Sequence, residues 1–292
     1  MCACLTLDAK STASRQSAAL LVCMAALFLA IHDAMARHLI ATLPVVMLIW
    51  VRYFLQAILM SAWGWARSGP AVFGTRHQGL HFLRAQCLVA LSVCFIVGLK
   101  YVPLAEATAL NFLSPLFVLV ISRLVLRESD VFSQWAAVAA GLVGVLMIVR
   151  PGGELFVPAA LLPCTAAFFL SIYQLVTRAA SRFDSPATST IWLGIFAFLI
   201  ASLALPLFWV TPTLDDLSWM LPMGLAGTIA HWLLASAYQS ASPSFLAPFS
   251  YIQIVFSVFL GFVLYSTFPS FVALGGVLLI SISGLIAIKR YK

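Results

Sequence analysis

Several ionisable side chains stand inside stretches that are otherwise almost wholly apolar, among them His32, Asp33, Arg52, Arg84, Glu106 and His231. At the centre of a membrane-embedded helix such a group costs about 2.5–3.5 kcal/mol on insertion scales, so each needs a partner or a use. Asp33 stands four residues before Arg37, which allows an ion pair on one helix face. Its other use is as a carboxylate facing a cavity, where it binds a cationic group or a proton. Arg52 stays protonated and therefore needs a carboxylate, backbone carbonyls or an anionic ligand. Asp33 and Glu106 are the carboxylates at its level, and a structural ion pair is the first expectation. Arg84 begins its apolar run, where snorkelling to lipid headgroups suffices unless it faces inward.

Uncharged polar residues are spaced along the same runs. Thr108 and Asn111 are three apart and Asn111 and Pro115 four apart, one polar stripe with Ser114 beside it and a bend where carbonyls are freed. His231 and Tyr238 share one face, with Trp232, Ser236 and Gln239 on the adjoining stripe. Amphipathic aromatics of this kind can enclose a flat solute while directing a hydrogen bond to it. Ser250, Gln253 and Ser257 form a further stripe, and Tyr173 and Gln174 a polar pair. Each stripe serves either a water-filled cavity or hydrogen bonding between helices, worth about 0.6–2 kcal/mol per contact.

The elements that must position these groups follow from composition. Of 292 residues 63% are hydrophobic and 9% charged, against about 25% charged in soluble domains, so the chain belongs in lipid. Crossing about 30 Å of hydrocarbon takes about 20 residues of helix. The pattern predicts ten such spans, near 17–36, 44–66, 80–99, 103–124, 131–149, 157–178, 187–209, 218–238, 243–264 and 269–288. The first is read as a span and not as a cleaved leader. Pro44, Pro103, Pro158, Pro243 and Pro269 fall near helix starts, where a missing N–H does least harm. The six cysteines follow no secreted disulfide pattern and are read as reduced.

With both termini in the cytoplasm, Lys10, Arg15, Arg67, Arg76, Arg84, Arg123, Arg127, Arg178, Arg182, Lys289, Arg290 and Lys292 lie inside. Only Arg37, Lys100 and Arg150 then lie outside, a positive-inside split that explains the net charge of +7 without nucleic acid, and the cell inner membrane is the expected location. The chain also repeats itself: Phe28 to Arg37 aligns with Phe169 to Arg178, and Ile49-Trp50 with Ile191-Trp192, at offsets near 141. A five-helix repeat reverses its orientation in the second copy. Such inverted repeats build transporters that work by alternating access. Small residues in spans five and ten, Ala139 to Gly144 and Gly275-Gly276 with Gly284, serve close helix packing and leave room for a homodimer.

Leu83-Arg-Ala-Gln, then Gly98 to Phe117, closed by Arg127-Glu128, resembles the drug/metabolite transporter superfamily, EamA type. The second half departs from the repeat, with Ser266 where a Glu is usual and Gln253 where a Pro is usual. The resemblance implies an all-α fold of ten transmembrane helices in two inverted repeats, 17–150 and 157–288. It also implies a central cavity lined by helices one, three, four, six, eight and nine, and draws interest to Arg84. The function expected is secondary transport of a small metabolite, an amino acid, vitamin or related solute. No cofactor or metal is expected, and the partners are that solute and membrane lipid. The expected binding residues are His32, Asp33, Arg52, Arg84, Glu106, Asn111, Tyr173, Gln174, His231, Trp232 and Gln253, with Asp33 or Glu106 as candidate proton carriers. Aromatic content suits an amino acid or a heteroaromatic such as riboflavin, whereas Arg52 and Arg84 suit an anionic solute. The alternatives are an integral-membrane enzyme and a regulatory scaffold, and no His-Glu-x-x-His, Gly-x-Ser-x-Gly or Walker phosphate loop is present for an enzyme or an ATP-driven pump.

Overall fold

The computed structural model describes residues 2–114, 116–118, 120–121, 132–150, 157–180, 182–240, 246 and 249–289. Arg123, Arg127, Glu128, Arg290 and Lys292, together with Pro115 and Pro243, lie outside them, as do the side chains of Lys10, Arg15, Arg178, Tyr238 and Gln239. Among the described residues ten apolar helices follow one another: α1 (Cys2–Leu39), α2 (Val45–Ser68), α3 (Gln78–Gly98), α4 (Leu104–Asn111), α5 (Phe132–Val149), α6 (Leu161–Ala180), α7 (Pro186–Ala204), α8 (Leu214–Ser240), α9 (Ile252–Tyr265) and α10 (Phe271–Lys289). Six of the ten carry segments long and apolar enough to cross a membrane, and α4, α5, α9 and α10 carry shorter apolar stretches. α1 is longer than its apolar run, which begins at Gln16. α4 pauses in a turn at Phe112–Leu113 before helical backbone resumes at Ser114.

Local chemistry sets the helix ends. Pro44 and Pro103 stand at the N-caps of α2 and α4 with ψ of 140° and 153°, their rings holding φ at −61° and −57°. Ser185 caps α7, its Oγ accepting from the Thr188 N–H at 3.2 Å, with Pro186 at the first helical position. α9 ends on Ser266 in the left-handed region (φ 51°), which turns the Thr267 N–H back onto the Gly261 carbonyl at 3.1 Å. The serine that departs from the family's glutamate thus works as a helix terminator.

Apolar residues fill the interior, as in a soluble protein, and cover the outside as well. Leu142, Val143 and Leu146 of α5 and Val255, Phe259 and Phe262 of α9 face outward, while Arg52, Arg84, Gln56 and Thr108 are buried. That arrangement suits a hydrocarbon solvent. The four most extensive helix interfaces among the described residues are α1 with α8, α3 with α6, α5 with α10 and α2 with α7. Exchanging each helix for the one five places along turns the first pair into the second and each of the last two into itself. The contacts therefore carry the two-fold pseudosymmetry of two interlocked five-helix repeats, inverted because five is odd. At the α5–α10 crossing the glycines are required: a Cβ on Gly276 would lie 2.6 Å from the Gly144 carbonyl oxygen, and one on Gly144 2.9 Å from that of Gly276.

Candidate functional site

Inside the bundle α1, α2, α8 and α9 bring together His32, Asp33, Arg52, His231 and Gln253. The His32 Nδ1 and Asp33 Oδ1 are 3.0 Å apart, and Gln253 Nε2 donates to Asp33 Oδ2 at 3.1 Å. Arg52 donates from Nη2 to His231 Nε2 at 2.7 Å and from Nη1 to Ser92 Oγ at 3.4 Å, with its guanidinium 5.1 Å from the Tyr53 ring. A guanidinium can only donate, so His231 Nε2 accepts and its ring proton sits on Nδ1. Tyr53 Oη in turn contacts Ser92 Oγ at 3.1 Å.

Two sequence expectations change here. Asp33 does not pair with Arg37: Arg37 reaches the Val102 carbonyl at 3.0 Å and lies over the Tyr265 ring at 5.0 Å, while Tyr265 Oη donates to the Ala34 carbonyl at 2.6 Å. Asp33 turns instead to α9. Arg52 pairs with neither Asp33 nor Glu106, and among the described residues it forms no ion pair at all. Helical rotation is the reason, since Arg52 is aimed at α8 and α3 and not along α1.

Arg84 does face inward. It is buried, donates from Nε to Thr177 Oγ1 at 3.0 Å, reaches the Ser189 hydroxyl and lies 5.4 Å from the Tyr173 ring. Its Nη1 also meets His81 Nδ1 at 3.2 Å, and His81 Nε2 meets Asp184 Oδ2 at 2.9 Å. Because arginine only donates, His81 holds its proton on Nε2 and passes it toward the carboxylate, an Arg–His–Asp relay with Thr75 Oγ1 also on Asp184 at 2.8 Å. The relay joins α3 to the α6–α7 connection. Snorkelling plays no part.

The remaining expected residues scatter. Glu106 is buried on α4, and among the described residues its Oε2 and the Asn111 Oδ1 have no hydrogen-bond partner. Thr108 Oγ1 bonds Ser257 Oγ at 3.1 Å and ties α4 to α9. Gln174 is exposed, about 100° around α6 from Tyr173. Trp232 points away from its neighbour His231, packing edge-on to Trp63 at 6.2 Å and lining a cavity of about 290 Å³ with Met60, Arg67, Thr190 and Ser236. His81, Asp184, Tyr53 and Ser92 are partners that the sequence reading passes over. His81 had a signal in its i,i+3 spacing to Arg84.

The EamA-like transporter family matches residues 16–150 and again 157–288. The chain belongs to that family. It is therefore a multi-pass membrane protein and a small-metabolite transporter. It is 32% identical over 220 residues to a riboflavin transporter of Rhizobium johnstonii, covering 74% of this chain and 72% of that one. It is 34% identical over 202 residues to a riboflavin transporter of Vibrio cholerae, covering 67% and 66%. An S-adenosylmethionine uptake transporter of Rickettsia bellii is 24% identical over 249 residues, 85% of both chains. A solved crystal structure shares the fold at a TM-score of 0.63 and 20% identity, covering 97% of this chain and 99% of the other.

Proposed function

We propose that this EamA-like transporter carries its metabolite across the inner membrane by alternating access, with both termini cytoplasmic and no covalent chemistry. The observation that carries the reading is the polar cluster His32, Asp33, Arg52, His231 and Gln253, supplied by both halves at their interface. Repeats 17–150 and 157–288 are the units that move against each other, and solute binds between them. Glu106 and Asn111 on α4 and Arg84 and Tyr173 on α3 and α6 border the same interior, whereas Gln174 and Trp232 contribute at its periphery. The names of the relatives put riboflavin and S-adenosylmethionine at the head of the candidate solutes.

Counterflow in proteoliposomes across a metabolite panel tests this directly. A solute should exchange without chemical change; accumulation of a converted product would instead mark an enzyme, and no movement of any solute a scaffold. If uptake is driven by a pH gradient, Asp33→Asn or Glu106→Gln should abolish the gradient response and leave exchange partly intact, because a buried carboxylate is the group able to carry the proton. An unaltered response in both variants removes them as coupling groups. Orientation has its own measurement. Single cysteines at Arg76 and Asp215 on a cysteine-free background should label from opposite faces, and labelling from one face refutes the topology.

A further inference from the structure

The two buried arginines are compensated in different ways. Arg84 hands its charge through His81 to Asp184, so that cluster is electrically closed. Among the described residues Arg52 meets only neutral acceptors, an imidazole nitrogen and a serine hydroxyl, and its Nε has no partner. Asp33, the acid on the facing turn of α1, has both oxygens taken by His32 and Gln253. His32 Nε2 is a second orphan, on a side chain only 1% exposed.

These two orphans converge on one spot. A Cβ on Gly227 of α8 would lie 3.0 Å from His32 Cδ2 and 3.4 Å from Arg52 Nε, so the bare glycine lets both side chains close over α8 one turn before His231. A permanent cation with no carboxylate in direct contact is costly to bury, and an arriving anion lowers that cost. A guanidinium edge offers an oxyanion two parallel N–H donors, and two of the five N–H groups of Arg52 are engaged.

We infer that the transported metabolite bears an anionic oxygen group, a carboxylate or a phosphate, and that Arg52 docks this group beside His32 and His231. The inference rests on the transport reading above and narrows it to a substrate class that keeps S-adenosylmethionine, which bears a carboxylate, among the candidate solutes and removes riboflavin, which bears neither group. Arg52 rests on His231; bound substrate replaces that neutral contact with a charge-assisted one. Because Arg52 comes from the first half and His231 from the second, the exchange of partner links occupancy to the junction between halves.

Matched probes decide it: nicotinate with nicotinamide, N-acetylphenylalanine with its amide, and riboflavin 5′-phosphate with riboflavin. In counterflow the acidic member of a transported pair should exchange at least tenfold faster than the neutral one, the carboxylate and phosphate pairs showing which oxyanion is preferred. Arg52→Gln should erase that preference and Arg52→Lys retain part of it, since lysine keeps the charge without the fork. Neutral members moving as fast as acids, or Arg52→Gln keeping the preference, overturns the inference and leaves the transport reading standing. No solute moving at all overturns both. A second measurement stands apart from transport: Arg52→Gln without probe should unfold at or above the wild-type temperature, because glutamine needs no counter-charge. A fall of several degrees would mean that Arg52 is compensated within the fold, and the inference fails.

Discussion

Asp184→Asn is expected to destabilise the folded protein by about 3 kcal/mol or more, the usual cost of deleting one partner from a buried charge pair. The Asp184 side chain is 7% exposed and His81 wholly buried, so water cannot take over the lost carboxylate. The deletion leaves the Arg84 guanidinium with His81, Thr177, Ser189 and the Tyr173 ring, none of them charged. It also frees Thr75 and loosens the seam between α3 and the α6–α7 connection. A combined variant, His81→Leu with Arg84→Met and Asp184→Asn, should recover much of the loss, since no unpaired charge remains. Thermal unfolding in detergent measures both. An unfolding temperature equal to wild type in Asp184→Asn would show that the relay is hydrated and contributes little.

Gly276→Ala should be nearly as damaging, and Gly276→Leu more so. The added Cβ would come within 2.6 Å of the Gly144 carbonyl oxygen and 2.9 Å of Ile148 Cγ1, and a backbone oxygen has no rotamer with which to yield. Overpacking of this kind costs about 1–3 kcal/mol even where side chains can adjust. Here α5 and α10 must separate along their whole crossing, which also disturbs Ile280 against Ile148 in the core. Gly275→Ala is the matched control, because its Cβ would meet only the flexible end of Met147 at 3.0 Å. Equal unfolding temperatures for the two alanine variants would show that α5 and α10 do not pack through these glycines.

The ten helices are legible in the sequence because lipid demands long apolar runs with internally satisfied backbones, and prolines near several helix starts punctuate them. The repeat is legible too, and its consequence appears in the pairing of α1 with α8 and α3 with α6. Candidates are readable one residue at a time, since a charge in an apolar run announces itself, and His32, Asp33, Arg52, Arg84 and Glu106 are indeed buried in the bundle. Partnership is not readable this way. Arg52 and His231 stand 179 positions apart, and nothing in either helix records the rotation that aims one at the other. The Asp33–Arg37 spacing permits a local bond, yet Gln253, 220 positions away, takes the carboxylate. Local spacing lists what can pair; the tertiary arrangement chooses.

The interlocking of the halves bears on how the chain is made. Each of the four largest interfaces joins an early helix to a late one. While the ribosome is still translating the second half, α1, α2, α3 and α5 sit in the bilayer with their most extensive native partners unsynthesised. Arg52 and Arg84 enter lipid before His231, Thr177 and Ser189 exist to meet them. Assembly must therefore wait for the last helices, and a message truncated after residue 150 would yield inserted spans with no protein to become.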